Sequence, residues 1–388
     1  IIMKKDIVKI VLKSYKEYLK GLYGSSKVST FKENAKMPIY SVYIFELFFN
    51  IYAFFQGFLF KGSIRKKKYI FVNSRFEDII CNLNKEDVVV MGGGKDLLFC
   101  VKNKIKFVWI GYLVKAFNIY YYYGRDGVYI KALTLIEKKV TISDHKSLLL
   151  WEDTLKVGLS FANLFNKNKL VDVICIQHGL FFLGSKVRPA GINSNYNFFI
   201  KDSQKKFINN SNSRNSCVIG LPYDITERPL FNKNIYLVGI GGLGTDDPIY
   251  LYSLWVYSKI YGEFIGSGYK VFYRPHPTEN VNFCKFCFPD INIVPKKDLF
   301  TSSLSVYIGF NSTLLYEAMC FGNISIRINP VEDSININDF NTNLTIDEKD
   351  IKHIVNKLNK YIKNNDITYS YEENIGNRFV KCINLCRG

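Results

Sequence analysis

The sequence predicts an α/β fold in which two Rossmann-like domains face a cleft, with a basic, aromatic helical segment ahead of them. Three observations carry that prediction. From Tyr69 onward, short apolar runs rich in β-branched and aromatic residues alternate with helix-like segments, the pattern of a layered sheet with crossover helices. The runs fall into two sets, and an Asn-, Ser- and Pro-rich stretch, 209–233, separates them. The chain is also long enough for two domains, because 388 residues, 48% of them hydrophobic, exceed what one ordinary core takes up. The expected division is 1–68 for the N-terminal segment, 69–225 for the first Rossmann-like domain and 226–388 for the second.

Residues 1–70 hold fourteen Lys or Arg against four acids, more than half of the chain's net charge of +18. Such an excess suits an anionic membrane face, at about 1 kcal/mol per basic residue near the surface, and nucleic acid would also attract it. The aromatic run 39–60 is long enough to span a bilayer, but Glu46, Asn50 and Gln56 interrupt it. A carboxylate at mid-span costs roughly 2.5–3.5 kcal/mol. Glu46, Asn50, Ala53 and Gly57 share one narrow stripe at helical spacing, while Phe45, Phe48, Phe49, Tyr52, Phe55 and Leu59 fill the rest. The stripe leaves three placements open: a core helix, an interfacial helix and a true span.

Strands of the first domain are expected at 69–73, 88–91, 106–110, 171–176, 197–200 and 217–219, with a helix over 147–165. Those of the second are expected at 234–239, 270–274, 291–294, 305–309 and 324–328. Helices fill 249–261 and 312–321, and a helix over 346–362 closes the chain. An aromatic share of 16% excludes an extended disordered protein, which lacks the side chains that offset ordering entropy. Nine Cys in a chain this long, with no signal-peptide pattern, read as reduced thiols in a cytoplasm.

Four features carry chemistry. His178 in Gln177-His178-Gly179 and His276 in Arg274-Pro275-His276-Pro277 each follow an expected strand, and the crevice beyond strand ends is where open parallel sheets bind ligands. An imidazole there takes a proton near neutral pH, although a hydrogen-bonded loop histidine is the plain alternative. Asn311, Ser312 and Thr313 open a helix after a strand, where unpaired backbone N–H groups suit a phosphate. Glu317 lies one turn on, toward a nucleotide ribose.

The run Gly239-Ile240-Gly241-Gly242-Leu243-Gly244 satisfies G-x-G-x-x-G, but Asp246-Asp247-Pro248 interrupts the helix that should follow at once. The next strand ends in Arg274-Pro275-His276, with no acid for a ribose, so a nicotinamide cofactor is set aside. Gly241 and Gly242 keep the lesser role of letting backbone approach a phosphate or sugar. Met91-Gly92-Gly93-Gly94-Lys95 offers the same in the first domain, and Gly93, Lys95 and Gln177 are the acceptor-side candidates. Glu152 and Asp153 are the acidic candidates, with a simple helix start as the alternative. Cys284-x-x-Cys287 is half of a zinc pattern with nothing to complete it convincingly, and no Asp-x-Asp occurs, so no metal is expected.

Taken together, Ile176-Gln177-His178-Gly179, Gly220-Leu221-Pro222-Tyr223-Asp224, Arg274-Pro275-His276-Pro277 and the run from Asn311 to Ala318 resemble bacterial surface-polysaccharide glycosyltransferases of the GT-B fold. The resemblance is to the group of sialyltransferases and polysialyltransferases, capsule Kdo transferases and CDP-glycerol glycerophosphotransferases, and it covers roughly 170–325. In the sialyltransferases an acidic pair and a Gly often stand where Gln177-His178-Gly179 stands here. The resemblance implies an inverting, metal-independent transfer of a CMP-linked sugar, sialic acid or a related nonulosonate or Kdo, to a capsule, O-antigen or lipooligosaccharide glycan. Ser312, Thr313 and the helix end would hold the donor phosphate, Glu317 the ribose, and Arg274 and His276 the departing phosphate. His178 would deprotonate the acceptor, with Glu152 or Asp153 orienting it or replacing it as base. It further implies a lipid-linked or outer-saccharide acceptor, no cofactor beyond the sugar nucleotide, and a peripheral place on the cytoplasmic face of a bacterial inner membrane. A glycerophosphotransferase or a nucleotide-hexose transferase shares the motifs and differs in donor. A non-catalytic membrane- or RNA-binding protein rests on charge alone.

Overall fold

The computed structural model describes residues 4–18, 38–59, 64, 66–140, 144–180, 191–208, 215–222, 224, 231–240, 247–276, 279–294, 304–330, 342–364 and 374–387. In the first half, β1 (Tyr69–Val72), β2 (Val88–Gly92), β3 (Lys106–Trp109), β4 (Lys146–Leu150), β5 (Val171–Ile176), β6 (Tyr196–Phe199) and β7 (Asn215–Val218) form one sheet in the order β3-β2-β1-β4-β5-β6-β7. Every pairing is parallel. Helices cover both faces of such a sheet, so its central strands read as continuous apolar runs: β2, β4 and β5 are buried at every position.

In the second half, β8 (Phe231–Val238), β9 (Lys270–Arg274), β10 (Asn292–Ile293), β11 (Leu304–Gly309), β12 (Ile324–Asn329) and β13 (Leu344–Asp347) repeat the scheme in the order β10-β9-β8-β11-β12-β13, again all parallel. Both sheets reverse strand order beside their first strand, which creates a switch point in each, at β1/β4 and at β8/β11. The α/β expectation of two Rossmann-like domains is met.

The chain divides into one unit of residues 1–224 with 373–388 and another of 225–372. Where the sequence reading runs the second domain to 388, the last helix, α12 (Ile375–Arg387), packs into the first. Ile375, Phe379, Cys382 and Ile383 bury in a core with Phe71, Ile79 and Ile176, and the Phe379 ring centre lies 5.6 Å from that of Tyr69 and 6.0 Å from that of Phe198. The Ile375 amide donates to Asp224 at 2.7 Å, and a Cys217–Cys382 disulfide ties β7 to α12. That bond departs from the expectation of reduced thiols. Its cause is proximity, since the two Cα atoms stand 5.7 Å apart once α12 docks.

The stretch 147–165 divides into β4 and α7 (Lys156–Phe165) in place of one helix. Its Leu run is a central strand enclosed on both faces, and a short apolar run of that kind carries no period to distinguish strand from helix. The expected closing helix over 346–362 likewise opens with β13, followed by a 3-10 turn and α11 (Ile354–Asn364).

As far as it is described, the N-terminal segment belongs to the first unit. In α1 (4–18), Ile7, Val8, Val11 and Tyr15 bury at helical spacing in that unit's core. In α2 (Ile39–Leu59), Val42 and Phe49 are buried, and the polar edge turns inward: Glu46 pairs with Arg125 at 2.5 Å and Asn50 meets Lys131, both of which lie beside or on α6 (Asp126–Lys139). Among the described residues, no helix is long and apolar enough to cross a membrane.

Candidate functional site

Beyond the carboxyl ends of β1 to β4 the first unit holds a cavity of about 460 Å³. Val72 and Asn73 follow β1, Gly92 and Gly93 end β2, Ile110 and Gly111 lead from β3 into α5 (Gly111–Tyr123), and Trp151 and Glu152 follow β4. Tyr15 and Tyr18 of α1 and Lys156 of α7 complete the wall. Asn73 and Lys156 both take positive φ, +83° and +26°, in side-chain-bearing residues that rarely adopt it. Strain of that kind gathers where the surroundings hold a site in place.

Glu152 is one of two carboxylates that line this cavity, with Asp96 the other. Its Oε2 accepts from the amides of Leu155 (2.8 Å) and Thr154 (3.1 Å), and its Oε1 from that of Gly158 (3.3 Å). Burial pushes its pKa up to about 7, and these amides only partly offset that. Gly158 is required, because a Cβ there would stand 1.9 Å from the Glu152 carbonyl oxygen. His178 donates its Nδ1–H to the Trp151 carbonyl, 2.9 Å away. The imidazole also meets the Trp151 ring edge-on at 4.8 Å between centres, while Arg75 lies over the same indole at 4.8 Å.

Two other first-unit candidates, Asp153 and Gln177, are buried and held by hydrogen bonds. Asp153 is enclosed, its carboxylate accepting from the amides of Gly191 and Asn193 at 2.7 Å each and from the Ser194 hydroxyl at 2.8 Å. It pins residues 191–194 ahead of β6. Gln177 is buried, its amide nitrogen donating to Gln204 at 2.7 Å and its oxygen accepting from the Ile200 amide at 2.9 Å. The glycine run after β2 is likewise occupied. Asp96, in the first turn of α4 (Gly94–Asn103), accepts from the Gly93 amide, and a Cβ on Gly92 would collide with that carboxylate. Gly93 lines the cavity, whereas Lys95 is exposed on α4.

In the second unit, β8 lies between β9 and β11, with Val238 level with Arg274 and Leu237 level with Ile308. Gly239, Arg274-Pro275-His276 and Phe310-Asn311-Ser312 therefore share one carboxyl edge at the switch point. Gly239 is tight for a reason: a Cβ would stand 2.0 Å from Glu279 and 2.8 Å from the His276 amide. The Ser312 side chain accepts from the Leu314 amide at 3.3 Å and caps α10 (Thr313–Cys320). Arg274 is buried, and among the described residues its Nε–H has no acceptor. Burial lowers its pKa, opposed by the carboxylates of Glu279 and Glu317.

Glu279 is the site residue that sequence reasoning missed. It accepts from the Tyr273 hydroxyl (2.7 Å) and from the His276 backbone amide, and burial raises its pKa against those bonds. The available signal was its position three residues after His276, a spacing that lets a carboxylate close a turn back onto the histidine's backbone. Gly241, Gly242 and Pro277 lie outside the described residues. Cys284 is buried beside the Tyr250 hydroxyl, and among the described residues no three His, Cys, Asp or Glu side chains gather as a metal site would require.

No protein-family model and no curated protein sequence matches the chain. Solved structures match its fold. A putative UDP-N-acetylglucosamine 2-epimerase from Listeria monocytogenes superposes with a TM-score of 0.51 at 12% identity, over 82% of this chain and 96% of the other. A glycosyltransferase from Rickettsia africae gives 0.46 at 11% identity over 82% and 96%, and the wall teichoic acid polymerase TagF gives 0.45 at 11% over 96% and 93%. The Listeria likeness, at this identity, shows the α/β fold with two Rossmann-like domains and nothing of the chemistry.

Proposed function

We propose that this chain is a glycosyltransferase that moves a sugar from a nucleotide donor, CMP-linked sialic acid or a related acid sugar, to a bacterial surface glycan, without a metal. The observation that carries the reading is Arg274: a buried guanidinium Nε–H that has no acceptor among the described residues, at a switch point, beside His276 and the Ser312-capped start of α10. A buried donor left unmatched is costly, and an anionic phosphate or carboxylate at that edge would satisfy it. Cationic and dipolar groups there can neutralise the charge that grows on the departing phosphate.

The acceptor takes the first unit's cavity in this reading. Glu152 removes the proton of the acceptor hydroxyl as its oxygen bonds to the anomeric carbon, and the carbon–oxygen bond to the nucleotide phosphate breaks with inversion. A base with a pKa near 7 suits that task at neutral pH. Glu152 is preferred to His178 because it lines the cavity, while the histidine is oriented through the Trp151 carbonyl. The glycan acceptor would be met at the cytoplasmic face of the inner membrane.

Thermal stabilisation of the purified protein by CMP, CDP, UDP and GDP, with and without EDTA, tests the donor. A shift with CMP that survives EDTA and vanishes in Arg274→Ala supports the proposal. A preference for CDP would redirect it to glycerophosphate transfer, and no shift with any nucleotide would remove it.

A further inference from the structure

Helix α2 has its faces reversed. Its carboxylate, Glu46, turns inward to Arg125, Asn50 meets Lys131, and Val42 and Phe49 are sealed against the first core. Positions 40, 43, 44, 47, 48, 51, 54 and 55 recur at steps of three and four, so they share the outer face. Tyr40, Leu47, Phe48 and Phe54 there are each more than 60% exposed. An apolar strip about four turns long is more than soluble proteins ordinarily leave in water.

Charge and ring content select what covers it. Arg125 lies over the Tyr43 ring at 4.6 Å and Lys115 over the Phe45 ring at 5.4 Å, so cations border the strip. Residues 1–70 add ten more basic than acidic groups. Protein interfaces are depleted in Lys, whereas aromatic rings flanked by Lys and Arg match the headgroup region of an anionic bilayer. We infer that α2 lies flat on an anionic membrane surface, with its outer face in the boundary between headgroups and acyl chains. The helix does not meet the requirement for a span, which leaves the in-plane placement.

The inner face of α2 packs on the segment that walls the cavity. Tyr112 of α5 packs against Phe49 and Tyr52 of α2 at 5.4 Å each, while Ile110, Gly111 and Val114 of the same segment line the cavity wall. One turn of α5 thus connects the docked helix to the place proposed for the acceptor. Only this last link rests on the transferase reading.

Flotation of the full chain with vesicles of three parts phosphatidylcholine to one part phosphatidylglycerol tests the inference. Wild type is expected to float, less so with pure phosphatidylcholine or in high salt, and the double variant Leu47→Asp/Phe48→Asp to partition about tenfold more weakly or worse. Phe54→Ser alone should weaken it in the same direction, and unchanged circular dichroism and melting show that either variant still folds. A wild type that stays with the soluble fraction, or variants that float as well as it does, would overturn the inference. So would a wild-type dimer that the double variant dissolves, since a second copy would then cover the strip. Vesicle binding without transferase activity would leave this inference standing and remove the functional reading.

Discussion

The Asp96 carboxylate sits 2.7 Å from the Gly93 amide, in the place where a glycine loop after a Rossmann strand can hold a bound anion. Its other oxygen accepts from the amide and hydroxyl of Ser74 at 2.8 Å each, so one side chain ties the loops after β1 and β2 together. Asp96→Ala is expected to cost about 1–3 kcal/mol, as half-buried donors lose a charged acceptor. Urea unfolding measures this, and an unchanged midpoint would show that the loops hold without it.

Glu152 makes stability depend on pH in a defined direction. Burial raises its folded pKa from the ordinary carboxyl value of 4.5 to about 7, so the folded state holds the extra proton between those values. Its contribution is fully present below about pH 4.5 and is lost as pH rises to 7, by about 3 kcal/mol at most. The stability of wild type relative to Glu152→Gln should therefore fall across that window and level off above it. The same variant should lose transferase activity by about 10²-fold or more if Glu152 is the base. Parallel stability curves for the two proteins would refute the shifted carboxyl.

Arg274→Ala removes the unmatched donor and should weaken CMP binding about 10- to 100-fold, the worth of one or two charge-assisted hydrogen bonds. Calorimetric titration reads this directly. Lysine at 274 should restore little, because a point charge replaces a fork of donors.

The disulfide closes a span of 165 residues. Cys382→Ser is expected to lower stability by about 2–4 kcal/mol under oxidising conditions and to match reduced wild type when a thiol reductant is present. Equal unfolding midpoints for wild type with and without reductant would remove the bond's contribution.

Strand positions were largely legible because most of them coincide with short apolar runs bounded by Gly, Asn or Pro. The runs at 69–73, 106–110 and 270–274 match β1, β3 and β9 to within a residue. Lys146–Leu150 was not, because its Leu run lacks the β-branched residues that mark the equally enclosed β2 and β5. At the second switch point, position after a strand was enough to single out Arg274, His276 and Ser312, which the strand register brings to one sheet edge. It could not show that Asp153 and Asp96 are consumed by backbone amides, because those partners lie in loops whose course the sequence leaves open. It also could not show that α2 points its charge inward, since helical spacing gives the stripe and not the side on which the core lies.

The return of α12 to the first unit affects the order of synthesis. The described core of the second unit runs from Ile235 to Leu358, so that core can close as soon as α11 has emerged from the ribosome. The first unit, although most of it is made earlier, waits with Phe71, Phe198 and Ile176 incompletely covered until Phe379 arrives. The N-terminal unit is thus the last to mature, and a fragment ending at residue 224 would expose that apolar groove and tend to aggregate.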